Sequence, residues 1–415
     1  MIRRWSGFRP SWLRAASVSG AEEGQTLILL PMMLTVFLLF GILVFDMGLS
    51  FVQRRDYQND ADKAALASVV AMYEGTGDPV AVGKSWLEKN QFDTSDASHW
   101  SVEVLDTERV RVSVNAPKQP FWSGLVGMDW NVGAYAIARA RRVPLQFALM
   151  AMNPTACTTL TLSGQANVSV TGGGGTFTNS TSTCGNGALR ASGGGSLSAG
   201  INDVVGISAT SGGSSITVAP TTGVPQRMDP FRDLVPPTVP ATCGNPNGPV
   251  LAPGCWKQKL SVTTNGQTVT LLPGVHIFQN GINVSAGSLV SSGPVLIYAT
   301  CDPSPCNGGK VDISITGGNN VLIGNPDYRN VVIWVDRTAS ANSTVKLAGQ
   351  GNTGISGSIY NINSSVTLSG GSSGSSTVLN ISVVADTIGL TGQGNVVLPW
   401  NPLTAPSEIL AELVE

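Results

Sequence analysis

The 415-residue chain is short of charge. Asp, Glu, Lys and Arg make up 12% of it, about half the share of an average soluble protein, and the net charge is only −2. So neutral a balance leaves no electrostatic footprint for nucleic acid. Histidine occurs twice, at His99 and His276, which leaves little room for His-based metal sites or catalytic triads. The shortage does not mean disorder, because 42% of residues are hydrophobic. It is also uneven. Residues 1–150 hold 15 Lys/Arg and 15 Asp/Glu, residues 151–400 hold 9 Lys/Arg and 8 Asp, and no Glu lies between Glu108 and Glu408. Most of the 49 glycines fall in the charge-poor stretch, among Ser, Thr, Asn and Val. A shift this sharp places a domain boundary near Val143–Pro144.

The N-terminal third opens with a long hydrophobic run. Thr26 to Phe45 is twenty residues without a charge, which at about 1.5 Å rise per residue matches a hydrocarbon core of roughly 30 Å. Pro31 and Gly41 are tolerable in a membrane helix, where neighbours re-satisfy the backbone. Arg3, Arg4, Arg9 and Arg14 precede it, so the positive-inside rule puts residues 1–25 in the cytoplasm and the chain beyond about 46 outside. A cleaved signal peptide is the plainer alternative, but its apolar region should end after about 7–15 residues at an Ala-x-Ala-like site. Here Asp46-Met47-Gly48 follows, and the helical pattern continues.

All six cysteines, Cys157, Cys184, Cys243, Cys255, Cys301 and Cys306, lie beyond this run. An even count in an exported segment favours disulfides, with fifteen connectivities open. Pairing of neighbours, 157–184, 243–255 and 301–306, is the simplest. Zinc ligation is the rival, with unsuitable spacings and no histidine nearby.

From Phe51 an Ala-rich helical pattern continues to Gly75, so anchor and continuation predict one helix of about fifty residues. Its residues carry a resemblance. Glu23-Gly24-Gln25, the apolar run, Asp46-Met47-Gly48, Arg54/Arg55, and Gln58-Asn59-Asp60-Ala61-Asp62-Lys63-Ala64-Ala65-Leu66-Ala67 follow one another in that order. This succession resembles the N-terminal module of TadE/TadG-like Flp pilus-assembly proteins. The resemblance covers about 50 residues, within a module of some 120, and implies a pilin-like packing of a long helix on a small sheet. The rest of the third fits. Trp86–Lys89 closes a short helix, Ser101–Leu105 and Val110–Asn115 form a hairpin, Phe121–Gly127 a helical turn, and Trp130–Ala140 a third strand. Gly20 is followed by Glu22 and Glu23, which departs from the Gly and later Glu of a type IV prepilin cleavage site. That departure implies the uncleaved, large-ectodomain TadG-like members. The metal site of their usual von Willebrand A domain starts Asp-x-Ser-x-Ser after a buried strand, and Leu149–Pro154 has no such motif, so another ectodomain stands in its place.

In residues 144–400 one phrase recurs: Leu162-Ser-Gly-Gln-Ala-Asn167, Leu347-Ala-Gly-Gln-Gly-Asn352 and Leu390-Thr-Gly-Gln-Gly-Asn395, with a looser copy at Ile315–Asn320. Short alternating strands such as Val295–Tyr298, Val331–Val335 and Val378–Val384 lie between the copies. This pattern predicts an all-β parallel β-helix, with Val, Ile and Leu rows inside and Gly or Asn at positive-φ corners. Stacked Asn, Ser and Thr can then bond along the axis, and like charges stacked every 4.8 Å would repel, which accounts for their scarcity. A flexible Gly/Ser stalk is the alternative, though it has no need of β-branched runs; a β-sandwich is another. Residues 226–252, with six prolines, interrupt the pattern as a loop or crossover, and residues 401–415 read as an amphipathic cap helix or tail.

The signatures of catalysis are thin. The body's eight carboxylates are Asp203, Asp229, Asp233, Asp302, Asp312, Asp327, Asp336 and Asp386, without the paired signatures of polygalacturonases. His276 alternates with apolar neighbours as a strand residue, and Asp336-Arg337 reads as a strand-end ion pair or turn. No nucleophile elbow or phosphate loop occurs. The expectation is a bitopic, structural envelope protein: residues 26–45 span the membrane, 46–143 form the TadE/TadG-like helix and sheet, and a disulfide-pinned β-solenoid projects outside. It needs no catalytic residue, cofactor or metal. Its partners are the bilayer, other Tad pilus or pilin-like subunits and, as a candidate, a surface glycan. Glu22, Glu23 and Asp46 are the candidates for helix registration, since acids at a membrane boundary want a partner. A membrane-tethered carbohydrate-binding or polysaccharide-cleaving β-helix is the alternative.

Overall fold

The computed structural model describes residues 23–117, 131–348, 354–371 and 376–414. The chain divides into two units, one of residues 1–141 with 411–415 and one of residues 142–410.

The first unit is built on α1, a single helix from Glu23 to Glu74. Ala61, Ala64, Ala65, Ser68 and Val69 recur at helical spacing and are fully buried, so one face of the helix's second half is both small and apolar. Against it packs α2, Pro79–Lys89, whose start is set by Asp78 as N-cap, with its carboxylate accepting from the Val80 amide at 3.1 Å. Gly83 sits where the two come close. A Cβ there would lie 2.6 Å from Ser68 Oγ and 2.8 Å from Val102 Cγ2. Strands β1 (Trp100–Val104), β2 (Arg109–Pro117) and β3 (Asn131–Pro144) form an antiparallel meander, with Val110, Val112 and Val114 turned inward. The expected turn at Phe121–Gly127 lies outside the described residues.

The C-terminus corrects one expectation. Ser407–Leu413 is not a helix but a strand, the neighbour of β3 in the four-stranded sheet, held there in part by the Val414 amide donating to Ile137 O at 2.9 Å. The edge of β3 offers backbone partners that an isolated one-turn helix cannot match.

The second unit is mostly β, and among the described residues its strand ladders are all parallel. Successive strands pair at offsets from 18 residues (Asp203 to Thr221) to 36 (Ile297 to Ile333). One pairing breaks this sequence. Residues 380–391, near the end, lie beside Phe147–Ala151 and Leu160–Leu162, at the beginning. The strand order therefore runs outward from Phe147 to Thr222 in one direction. It resumes at Val250 on the opposite edge and returns to meet its own start.

Residues 223–249 make the connection between the two edges. They cross a row of ten strands, from Thr221–Thr222 to Gly254–Trp256, a distance of about 43 Å at 4.8 Å per strand. Twenty-seven extended residues reach roughly 90 Å, so the span is easily made.

Burial follows from this route. Inward residues such as Leu162, Leu189, Ile297 and Val383 form one apolar cluster. A second cluster, with Met150, Phe177, Tyr298, Trp334 and Tyr360, includes Phe231 and Leu234 of the crossing segment. Strands in contact with that segment are therefore buried on both faces, as in Phe147–Ala151 and Val331–Val335, where all five residues are buried. Strands elsewhere alternate, as in Leu160–Leu162.

Candidate functional site: the apolar helix and the strapped body

Between Leu29 and Val52, α1 presents large apolar side chains outward; Leu30 is 70% exposed and Phe51 66%. The stretch is long and apolar enough to cross a membrane, with a mean hydropathy of 2.3 in its most apolar window. Its exposed surface runs seven residues past Phe45 and ends at the exposed Arg54 and Arg55. Asp46 sits within this belt rather than at its edge, and it is fully buried while Phe45 and Met47 on either side are exposed. Ser50 Oγ donates to the Asp46 carbonyl at 2.8 Å. Glu23 is the first residue of α1, and Glu22 lies outside the described residues. Along one helix, Glu23 and Asp46 are about 34 Å apart. They form no joint site.

Beyond the belt the helix makes polar contacts inside its own unit. Gln58 Nε2 donates to Asp62 Oδ1 at 2.8 Å and to Tyr135 O at 2.9 Å, Lys63 Nζ donates to Asn90 Oδ1 at 2.9 Å, and the rings of Tyr57 and Phe92 meet edge-on at 5.3 Å. Partial burial raises the Asp60 carboxyl against the opposing pull of Lys63. The Gln58 to Ala67 stretch thus works as a packing face: its alanines admit α2, and its polar side chains fasten the sheet and the α2 terminus.

In the second unit the crossing segment is fastened as a strap. Asp233 is salt-bridged to both Arg142 and Arg329, and its side chain is only 7% exposed. Burial pushes its carboxyl up, but the hydrogen bonds and charges of Arg329 and Arg142 outweigh this and hold it down at about 2. Arg337 donates from Nη1 to Leu234 O at 2.9 Å, from Nη2 to Phe231 O, and from Nε to the Tyr360 hydroxyl at 2.8 Å. The Tyr360 hydroxyl in turn donates to Asp229. Asp336 and Arg337, adjacent in sequence, are therefore no ion pair of their own. Asp336 accepts instead from Thr300 Oγ1 (2.6 Å), the Thr338 amide and hydroxyl (2.8 Å each) and the Cys306 amide. The rings of Tyr298, Trp334 and Tyr360 meet edge-on at 5.5 Å, beneath Phe231. Sequence reasoning missed this network. The signal available was the pair of all-apolar strands, since a run such as Val-Val-Ile-Trp-Val has no solvent face to offer.

The cysteines form disulfides 157–184, 243–255 and 301–306, so none offers a thiolate to a metal. Cys243–Cys255 ties the far end of the strap to the edge strand, where the Gly244 amide also donates to Cys255 O at 3.0 Å. His276 lies in Gly274–Phe278, fully buried, with Nε2 2.8 Å from Leu272 O; burial lowers its pKa, opposed by that hydrogen bond.

A long helix with an outward apolar belt, packed through small residues on a second helix and a small sheet, defines the first unit, and a parallel-β body the second. Residues 24–71 match the family model described as "Putative Flp pilus-assembly TadE/G-like". The stretch is thus similar to a Tad pilus-assembly domain, and together with the one helix among the described residues that is long and apolar enough to cross a membrane, this fits a membrane-anchored protein. No curated protein matches the chain, and no solved structure matches it.

Proposed function

We propose that the protein is a membrane-anchored structural component of a Tad/Flp-type pilus assembly system, serving pilus assembly, adhesion or surface display. The observation that carries this reading is the coincidence, on one helix, of the family match at 24–71 with the outward apolar belt at 29–52. The N-terminus lies in the cytoplasm, in keeping with Arg3, Arg4, Arg9 and Arg14, and the body lies outside, where three disulfides are at home. The body is a parallel β-helix whose coils stack in register. Parallel ladders at repeating offsets support this, as do glycine corners superposed on one another, Gly193 on Gly164 and Gly164 on Gly392. Glu22, Glu23 and Asp46 serve helix registration with neighbouring subunits.

Glycan cleavage is the less favoured reading, because six of the body's eight aspartates are committed elsewhere, Asp203 and Asp327 being the other two. Asp229 bonds Tyr360, Asp233 two arginines, Asp302 Lys257, Asp312 Thr344, Asp336 Thr300 and Asp386 Asn153. A surface glycan remains a proposed ligand. Deleting the gene should abolish piliation without altering glycan turnover, and a cysteine placed at exposed Thr222 should react with an impermeant maleimide in intact cells. Normal pili, together with loss of glycan cleavage in Asp→Ala variants of the body, would overturn the reading.

A further inference from the structure

The apolar belt of α1 ends at a built hollow. Met47, Ser50, Phe51 and Arg54 stand at i, i+3, i+4 and i+7 on one side of the helix. With Asn131, Val132 and Gly133 of β3 they line a cavity of about 250 Å³. Its composition is graded. Met47, 49% exposed, and Phe51 continue the outward apolar surface, whereas Arg54, one turn further on, brings a guanidinium to the other end. Arg54 is exposed and makes no ion pair among the described residues. Asp56 lies two residues on and points to a different side of the helix.

The position fits the chemistry. From Thr26, where the apolar run begins, to Val52, where the exposed apolar surface ends, the helix rises about 40 Å, enough to cross a hydrocarbon core and reach the headgroup layer, so Arg54 falls at headgroup depth. A guanidinium there matches a phosphate in geometry and charge, and a site below the roughly 300 Å³ of a drug-sized pocket suits a headgroup whose chains lie outside it.

We propose that this cavity binds the headgroup of an anionic phospholipid, with Arg54 on the phosphate and the acyl chains running down over Phe51 and Met47 onto the belt. The occupant is a lipid rather than soluble phosphate, because the cavity's apolar end opens onto the lipid-facing surface. This inference rests on α1 being a membrane helix.

The test uses the full-length protein in nanodiscs containing phosphatidylglycerol and phosphatidylcholine, with retained lipid read by native mass spectrometry. The wild type should retain phosphatidylglycerol about tenfold over phosphatidylcholine. Arg54→Gln should abolish that preference, Arg54→Lys should keep most of it, and Arg55→Gln should keep all of it, each with an unchanged melting temperature. Glycerol phosphate, the headgroup without chains, should fail to compete. The site is overturned by equal retention of the two lipids, by an unchanged preference in Arg54→Gln, by effective competition from glycerol phosphate, or by a wild-type dimer that Arg54→Gln dissociates. Failure to enter nanodiscs overturns the membrane reading and the site with it. Entry without selectivity overturns the site alone.

Discussion

Asn167 and Asn395 are 228 residues apart in sequence, yet Nδ2 of Asn167 donates to Oδ1 of Asn395 at 3.2 Å. The bond sits where the end of the body pairs with its beginning, Asn395–Pro399 lying in register on Asn167–Thr171. It extends both ways, since Asn395 Nδ2 reaches Ser376 Oγ at 3.4 Å and Ser196 Oγ donates to Asn167 Oδ1 at 2.7 Å. The ladder crosses the junction unbroken. Two stretches far apart in the chain thus present the same side chain at the same place, so the seam is as well satisfied as its neighbours.

The corner beside this ladder sets the first prediction. Gly164 has φ +84°, and a Cβ there would lie 2.7 Å from Gly392 O, across the seam. Gly173 has nearly the same φ, +82°, with nothing within 4 Å. Gly173→Ala should therefore cost only the backbone strain, about 1 kcal/mol, and Gly164→Ala about 2–3 kcal/mol. Thermal melts followed by tryptophan fluorescence should show the larger drop for Gly164→Ala. Equal drops would mean the seam is looser than the geometry states.

The strap hangs on Arg337. Replacing it by Met removes three donors at once, leaving the Leu234 carbonyl without this donor and Phe231 O with the Leu234 amide alone, a loss of about 2–4 kcal/mol. Arg337→Lys should not restore it, because one ammonium cannot reproduce a planar fork aimed at three acceptors. Limited trypsin digestion reads the effect, since Arg227 and Arg232 lie in the strap. Cleavage there should accelerate at least tenfold, about what 1.4 kcal/mol of local opening yields, in both variants. Unchanged cleavage would mean Arg337 does not hold the strap.

Acid should loosen the body in two separable steps. His276 is buried and its pKa lies below 6.5 in the folded chain, so the unfolded chain binds the proton first. Its stabilising contribution is complete above 6.5 and declines as pH falls below that. Asp233, at about 2 against an ordinary 3.8, keeps its contribution above 3.8 and loses it as pH falls towards 2. Denaturant melts at pH 7, 5 and 3 should show His276→Phe removing the upper step and Asp233→Asn the lower. A single acid transition unaffected by either substitution would contradict this assignment.

Much of the first unit was legible because local signals there agree with the fold: the long helix, the hairpin around Asp106–Arg109 and the strand after Trp130 all formed. The second unit was legible in its strands but not in their order. Parallel pairing is decided between segments far apart in the chain, and nothing in Val383 or Leu149 alone announces that they lie in register. The C-terminus misled for a related reason. Glu408, Ile409, Ala411 and Glu412 suit a helix by spacing, but β3 had an edge to fill, and tertiary pairing overrode local preference. Of the candidate site, the apolar run and Asp46 were plain to read. The burial of Asp46 and the extension of the exposed belt to Val52 depend on which face of α1 is covered, which composition does not reveal.

The contact between α1 and α2 gives a prediction whose sign opposes helix propensity. In an exposed helix interior, Gly→Ala stabilises by about 1 kcal/mol. Gly83 lies inside α2, yet its Cβ would press on Ser68 Oγ at 2.6 Å and Val102 Cγ2 at 2.8 Å, so one neighbour on α1 and one on β1 must move. Gly83→Ala should therefore destabilise the first unit, by about 1–3 kcal/mol. Ser68→Ala removes the nearer obstacle, and since Ser68 Oγ makes no hydrogen bond among the described residues, that change alone should cost little. The double variant should recover part of the loss and no more, because Val102 still blocks the second direction. A double-mutant cycle on the full chain in detergent should give a coupling of about 0.5–1.5 kcal/mol. Additive effects would show that α2 can slide away from α1, and that the alanines of the Tad-like stretch are not there to admit it.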